Sequence, residues 1–235
     1  MVALLALLVI FILYPVVRVL WVSLSNEEGR MTLLHFGNFF RRPLFREALW
    51  NSLWSGLLVV FFSSLMAVPL AYFSARYEFR GKLLLQTLAT LPLVIPPFVG
   101  AVALQLILGR SGMVNLLLMR WFDWSIPFME GLTGVVLVQT LHYFPFIMLN
   151  TAVSLSNIDP SMEEMAQNMG SHGLRLFRRI TLPLMLPGFI AGALLTFIRA
   201  IDELGTPLML NYKNLLAPQA YLRITTLGID DVDGY

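Results

Sequence analysis

Most side chains in this sequence that could do chemistry sit inside apolar runs. Gln139, Thr140 and His142 fall within one helical turn and are followed by Tyr143. Asn51 and Ser52 open another apolar run, Ser63 and Ser64 lie in its middle, and Asp202 and Glu203 stand near the end of a third. Polar groups held away from water are costly, so these residues are the first candidates for a path across a membrane. The chemistry on offer is otherwise narrow. Ser63 or Ser64 with His142 is the one pair that could act as nucleophile and base, and its spacing carries no signal beyond chance. The serine hydroxyls can equally bond to their own helix. A lone His in a helical bundle is more often structural than a ligand, and no second His or carboxylate stands at metal-ligand spacing. His35 and His172 fall in loops. Without any Cys, thiolate ligands, disulfides and Cys nucleophiles are excluded. Arg199 and Glu203 are four residues apart, so an ion pair along one helix is their simplest role.

The elements that must hold these residues are set by composition. The chain has 235 residues, 57% hydrophobic and only 13% charged. A soluble domain carries about 25% charged residues, and with half that supply a soluble fold would expose apolar patches well beyond tolerance. A mean hydropathy of +0.74 points to lipid as the solvent. Disorder is excluded by the same figures, and a net charge of +2 gives no basic face for nucleic acid. About 20 apolar residues cross a bilayer as a helix. Five windows qualify, at about 2–24, 49–74, 83–108, 132–155 and 184–204. The first begins at Met1 with no basic segment and no small-residue cleavage site after it, so it reads as an anchor and not a signal peptide. The expected fold is all-α, a polytopic membrane helical bundle forming one transmembrane domain over 1–235.

Charge does not orient the bundle. The loops after the second and fourth windows hold Arg76, Arg80, Lys82, Arg175, Arg178 and Arg179, six basic residues against eight in the other three. The third window is interrupted by Pro92, Pro96 and Pro97. Proline removes a donor and clashes with the preceding turn, so this is either a loop between two helices or a broken helix near a transport path.

The loop between the fourth and fifth windows carries the clearest local signal. Asp159 can cap a helix and Pro160 suits its first position. Glu163 and Glu164 fall in the first turn, where the helix dipole favours negative charge. Ser161 and Glu164 fit a capping box in a shifted register, and Gly170 can end the helix in a left-handed conformation. Met162, Met165, Ala166 and Met169 then share one face. A helix of about ten residues is too short to span. Its polar face is acidic, unlike that of a helix lying on lipid, so docking onto a protein fits better. The basic segment after it, with Arg175, Arg178 and Arg179, reads as an anchor beside anionic lipid.

This stretch resembles the EAA loop of permease subunits of binding-protein-dependent ABC importers, whose pattern is E-A-A, three residues, G, nine residues, I-x-L-P. Glu164, Ala166, Gly170, Ile180, Leu182 and Pro183 fall at that spacing, with Met165 in place of the second alanine. The opening Asn51-Ser52-Leu53 and the segment Asp202 to Pro207 look familiar for the group, and the latter looks most like its ferric iron branch.

The resemblance implies a function. The chain would be an inner-membrane permease and not an enzyme, moving its substrate from a periplasmic binding protein into the cytoplasm. Iron(III) is the best guess, with polyamine or thiamine as alternatives. It holds no Walker-type phosphate loop, since Gly81-Lys82 runs into Leu83. ATP and Mg would be bound by a separate ATPase dimer, and no cofactor is expected in this chain. Glu163, Glu164, Ala166, Gly170, Ile180, Leu182 and Pro183 would couple to that ATPase through a cytoplasmic loop at 156–183. Asn51, Ser52, Gln139, His142, Asp202 and Glu203 are the candidates for the translocation path. A second permease subunit or fused second half would complete the path. The family pattern puts Met1 inside and Tyr235 outside and calls for six spans. Five windows therefore lead to the expectation of a truncated copy or half of a fused permease. A secondary transporter and an intramembrane enzyme are the rivals. The first needs an inverted repeat and buried coupling charges, the second the Ser–His pair above.

Overall fold

The computed structural model describes residues 7, 9–25 and 30–226. Among them every regular element is a helix, with a single isolated antiparallel bridge between Ser25 and Met31. The chain divides into two compact units at Glu47/Ala48. In the first unit α1 (Val9–Ser23) precedes α2 (Leu34–Arg41), and His35 Nε2 lies 3.0 Å from the Ser25 carbonyl oxygen. Phe39 stacks on Phe45 at 5.2 Å. The start of the first expected window lies outside the described residues.

The second unit holds the bundle. Helix α3 (Pro43–Arg76) begins at the end of the first unit and covers the window expected at 49–74. Its 34 residues reach about 51 Å at the usual rise. The window expected at 83–108 is a broken helix. It consists of α4 (Lys82–Thr90), a 3-10 turn at Leu91–Leu93, and α5 (Pro97–Leu108), with Pro96 extended just before α5. Proline at three of six positions leaves the carbonyls of this stretch without helical donors, and the chain must turn there. Helix α6 (Met113–Phe122) follows a turn in which Gly109 and Gly112 are both extended. Fully buried Asn115 staples that turn. Its Nδ2 donates to the carbonyls of Leu108, Gly109 and Ile126, and its Oδ1 accepts from the Ile126 N–H.

Helix α7 (Gly131–Ser156) covers the fourth window. After α8 (Pro160–Asn168), the helical run α9 (Gly173–Asp202) starts eleven residues before the window expected at 184–204. Its basic first turns are too polar to count as a span, yet nothing in them opposes a helix. Two short helices follow, α10 (Gly205–Met209) and α11 (Leu216–Thr226). Among the described residues, four runs are long and apolar enough to cross a membrane: Pro43–Arg76, Pro97–Phe122, Gly131–Ser156 and Gly173–Asp202. The second of these contains the Gly109–Gly112 turn, so it is bent and not one straight helix.

The bundle is organised around the α7–α9 pair. Gly188, Gly192, Thr196 and Ala200 recur every four residues along one face of α9. A Cβ added at Gly192 would lie 2.7 Å from the Ile147 Cα, and one at Gly188 would lie 2.5 Å from the Asn150 carbonyl oxygen. Only glycine allows the two backbones this close, which is the way helices gain packing contacts in a solvent as apolar as themselves. Hydroxyls and amides then bond across the seam. Ser154 donates to the Leu184 carbonyl, Thr196 to that of Tyr143 and Gln139 to that of Ala200. Helix α3 joins through a face of small residues, Ser52, Ser55, Gly56, Val59, Ser63, Ala67, Ala71 and Ser74. Ala67 and Ala71 meet Phe144, Ile147, Met148 and Met185 in the main apolar core.

Candidate functional site: the loop between α7 and α9

Helix α8 is built by its two ends. Asp159 takes the N-cap position and its Oδ1 accepts the Ser161 N–H at 2.9 Å. That bond favours the ionised carboxylate and holds Asp159 below the usual carboxylate range. The cap is therefore Asp159, and the shifted Ser161–Glu164 box is not needed. At the other end Gly170 takes φ +84°. The Gly170 N–H donates to the Gln167 carbonyl and the Ser171 N–H to that of Ala166, both at 2.9 Å. This pair of bonds is a Schellman cap.

The face shared by Met162, Met165, Ala166 and Met169 straddles the edge of the protein. Ala166 is only 4% exposed, whereas Met162, Met165 and Met169 are 44%, 59% and 84% exposed. Glu164 also points outward. Glu163, unlike Glu164, is half-buried and bonded within the chain. The Glu163 Oε1 accepts from Arg76 Nη2 at 2.5 Å and from Thr181 Oγ1 at 3.0 Å. Sequence reasoning missed Arg76 and Thr181 as its partners. Arg76 is 87 residues away, and no local pattern links them.

Ile180 and Leu182 are half-buried and Pro183 is exposed. Leu182 packs against the core with Phe177. Residues Phe177–Thr181 form a turn of π-helix, in which the Leu182 N–H donates to the Phe177 carbonyl. Pro183 has no N–H to continue the α-helical ladder, so a widened turn falls just before it. Arg175, Arg178 and Arg179 are exposed along this helical run.

The candidates for a path form two knots of the chain's own bonds. Asn51 Nδ2 donates to the Asn214 carbonyl at 3.2 Å, and Ser52 Oγ accepts the Leu216 N–H at 2.8 Å, fastening the start of α11 to α3. Gln139, fully buried, donates to the Ala200 carbonyl at 3.2 Å and to Glu203 Oε2 at 3.4 Å. Both Glu203 oxygens lie 3.0 Å from the Thr206 N–H. The Arg199–Glu203 pair read from the sequence does not form. α9 ends at Asp202 and Glu203 turns into extended backbone, which removes the helical spacing the pair required. Asp202 and Arg199 are exposed. His142 stands apart, half-buried and edge-on to Tyr143 at 4.9 Å. Ser63 donates to the Thr140 carbonyl and Ser64 to that of Val60, so neither serine is paired with His142.

Residues 67–224 match the family model described as "Binding-protein-dependent transport system inner membrane component". The chain belongs to this family. As a member it is an inner-membrane component of a transport system, and four of its described runs are long and apolar enough to cross that membrane. A molybdenum transport system permease protein of Haemophilus influenzae is 40% identical, over 63% of this chain and 66% of the relative. A probable molybdenum ABC transporter permease protein of Haloferax volcanii is 35% identical, over 77% of this chain and 65% of the relative. The chain thus spans just under two thirds of the length of these permease relatives. A bacterial ABC transporter that imports the acidic polysaccharide alginate shares the fold, with TM-score 0.73 at 19% identity, covering 97% of this chain and 83% of that one. The ferric branch is not supported. A putative ferric permease of Haemophilus influenzae is 26% identical and is matched over 35% of its length.

Proposed function

We propose that the chain is the permease subunit of an ABC importer whose cargo is a molybdenum oxyanion. The cargo rests on one observation: the permease relatives above are 35% and 40% identical and both are named for molybdenum, whereas the ferric relative stands at 26%. The iron, polyamine and thiamine readings are set aside on the same ground. The drive rests on α8. A capped helix of nine residues with two exposed methionines, and a third at its C-cap, suits an adaptable docking surface. A separate ATPase pair, holding ATP and Mg, receives α8 in a cleft, and its closure pushes on α7 and α9 at the ends that the loop joins. Glu164, Met165 and Gly170 carry the contact and its geometry, while Ile180, Leu182 and Pro183 set the return into the membrane.

The Arg76–Glu163 pair holds the α3–α4 and α7–α9 loops at one end of the bundle. In this reading that end is cytoplasmic, Met1 is inside, and a binding protein delivers cargo at the other end. A second permease subunit completes the path. The test is uptake of radiolabelled molybdate into vesicles carrying the chain, its ATPase and its binding protein. ATP-dependent accumulation that excess tungstate suppresses is the expected result. Accumulation of ferric iron or spermidine, with none of molybdate, would overturn the cargo.

A further inference from the structure

Glu163 is not the glutamate of the family pattern, which falls on Glu164, and it is turned away from the exposed methionines. Its carboxylate instead gathers donors from two other elements on a single oxygen. Arg76 is the last residue of α3, and Thr181, only 2% exposed, closes the π-turn inside α9. The Arg76 and Glu163 side chains are 18% and 17% exposed, so the pair is shielded from most of the water that weakens a surface bridge. The neighbouring charges are otherwise engaged or solvated. Lys82 pairs with Glu78 on the α3–α4 loop, while Arg80, Glu164, Arg175, Arg178 and Arg179 are exposed.

The connectivity gives this contact its consequence. α8 is continuous in sequence with α7 and α9, so any displacement of α8 reaches those two spans through the backbone. α3 is more than 80 residues away along the chain and meets α8 through the Arg76–Glu163 bridge. We propose that Arg76 is a positioning residue for energy coupling: through Glu163 and Thr181 it ties the end of α3 to the docking helix, so that α3 moves with α8 when the ATPase closes. The inference rests on α8 being the ATPase-docking helix. The bridge is electrostatic and geometrically specific, so its loss leaves the docking face unchanged but uncouples α3.

The experiment uses the full chain with its co-expressed ATPase. Spin labels are placed at Leu57→Cys on α3 and Leu149→Cys on α7. Both positions are exposed, and the chain has no Cys of its own. In the otherwise wild-type background α3 and α7 move together, so ATP leaves the distance between the labels unchanged. Arg76→Glu and Glu163→Arg are each expected to co-purify with the ATPase as before, while ATP now shifts that distance, because α7 follows α8 and α3 does not. The double exchange Arg76→Glu with Glu163→Arg restores the constant distance, and Arg76→Lys keeps it. The proposal is overturned if ATP already shifts the distance in the wild-type background, if either single variant keeps it constant, or if the double exchange shifts as the singles do. Where Arg76→Glu fails to insert, Arg76→Gln is measured in its place: the same shift is expected, and a constant distance in that variant overturns the proposal. Met165→Glu tests the underlying reading separately. It should release the ATPase, and an ATPase that stays bound to it refutes docking on α8 and the proposal with it.

Discussion

Gly170 shows how much a single residue of the loop decides. Its φ of +84° is left-handed, yet a Cβ there would meet nothing within 4 Å. The demand for glycine is thus conformational and not steric, and a β-branched residue at such a φ is strained by about 1–2 kcal/mol. Gly170→Val should therefore abolish transport in protein that still inserts, whereas Gly170→Asn, which tolerates this conformation, should keep most of it. Equal loss in the two variants, measured as ATP-dependent uptake, would show that the site needs space and not backbone freedom. Asp159 adds a pH dependence. Its folded pKa lies below the ordinary value, so the contribution of the cap is present above the unfolded pKa and is lost as pH falls through the folded one. Asp159→Asn should remove that acid-side dependence from the protection of α8 in hydrogen exchange. The two glutamates differ in exposure, and Glu164→Cys should cross-link to the ATPase more readily than Glu163→Cys, which sits at the half-buried position facing Arg76. The caps, the left-handed glycine and the short helix were all legible in the sequence, because each depends on neighbours within a few residues. The inward turn of Glu163 was not, because its cause lies 87 residues away.

At the scale of the elements, hydrophobic length was a sound guide to where helices lie and a poor one to where they end. α9 begins at Gly173, well inside a segment whose arginines disguise it. In the third window the interruption expected at Pro92, Pro96 and Pro97 is present, and it divides the run into α4 and α5. Which faces meet could not be read from apolarity, since a bundle in lipid is apolar on both sides. The signal lay in the small residues, Gly188, Gly192, Thr196 and Ala200, whose spacing of four marks the seam against α7. At Gly192 the neighbouring atoms are backbone, Ile147 Cα and the Phe146 carbonyl oxygen, and backbone cannot step aside as a flexible side chain would. Gly192→Leu should force the pair apart and lower the Tm of the detergent-solubilised protein strongly. Thr196→Val, which keeps the shape and removes the bond to the Tyr143 carbonyl, should cost only about 0.6 kcal/mol, a typical value for a hydrogen bond between membrane helices. Similar losses from both would deny the backbone approach its special place.

For the whole molecule, the α7–α9 pair is a strut tied at both ends. Near the loop Ser154 bonds to the Leu184 carbonyl. About 22 Å along α7, Gln139 bonds to the Ala200 carbonyl and to Glu203. The loop that carries α8 joins the near ends, and the Glu203 turn into α10 follows the far ends. Such an arrangement transmits displacement only while the far knot holds, because α10 is fixed by Glu203 accepting the Thr206 N–H and Glu203 is steadied by Gln139. Gln139 is also imperfectly satisfied, its Oε1 being buried without a partner. Replacing it by an apolar residue therefore removes one unpaired atom along with two bonds, and the net loss of stability is small. The two ends can thus be separated by experiment. Gln139→Leu should raise hydrogen exchange over residues 203–209 while leaving 159–171 as protected as before, and ATPase co-purification should persist as uptake falls. If exchange rises equally in both segments, the strut is not rigid, and the loop and the far knot answer to the stability of the bundle as a whole.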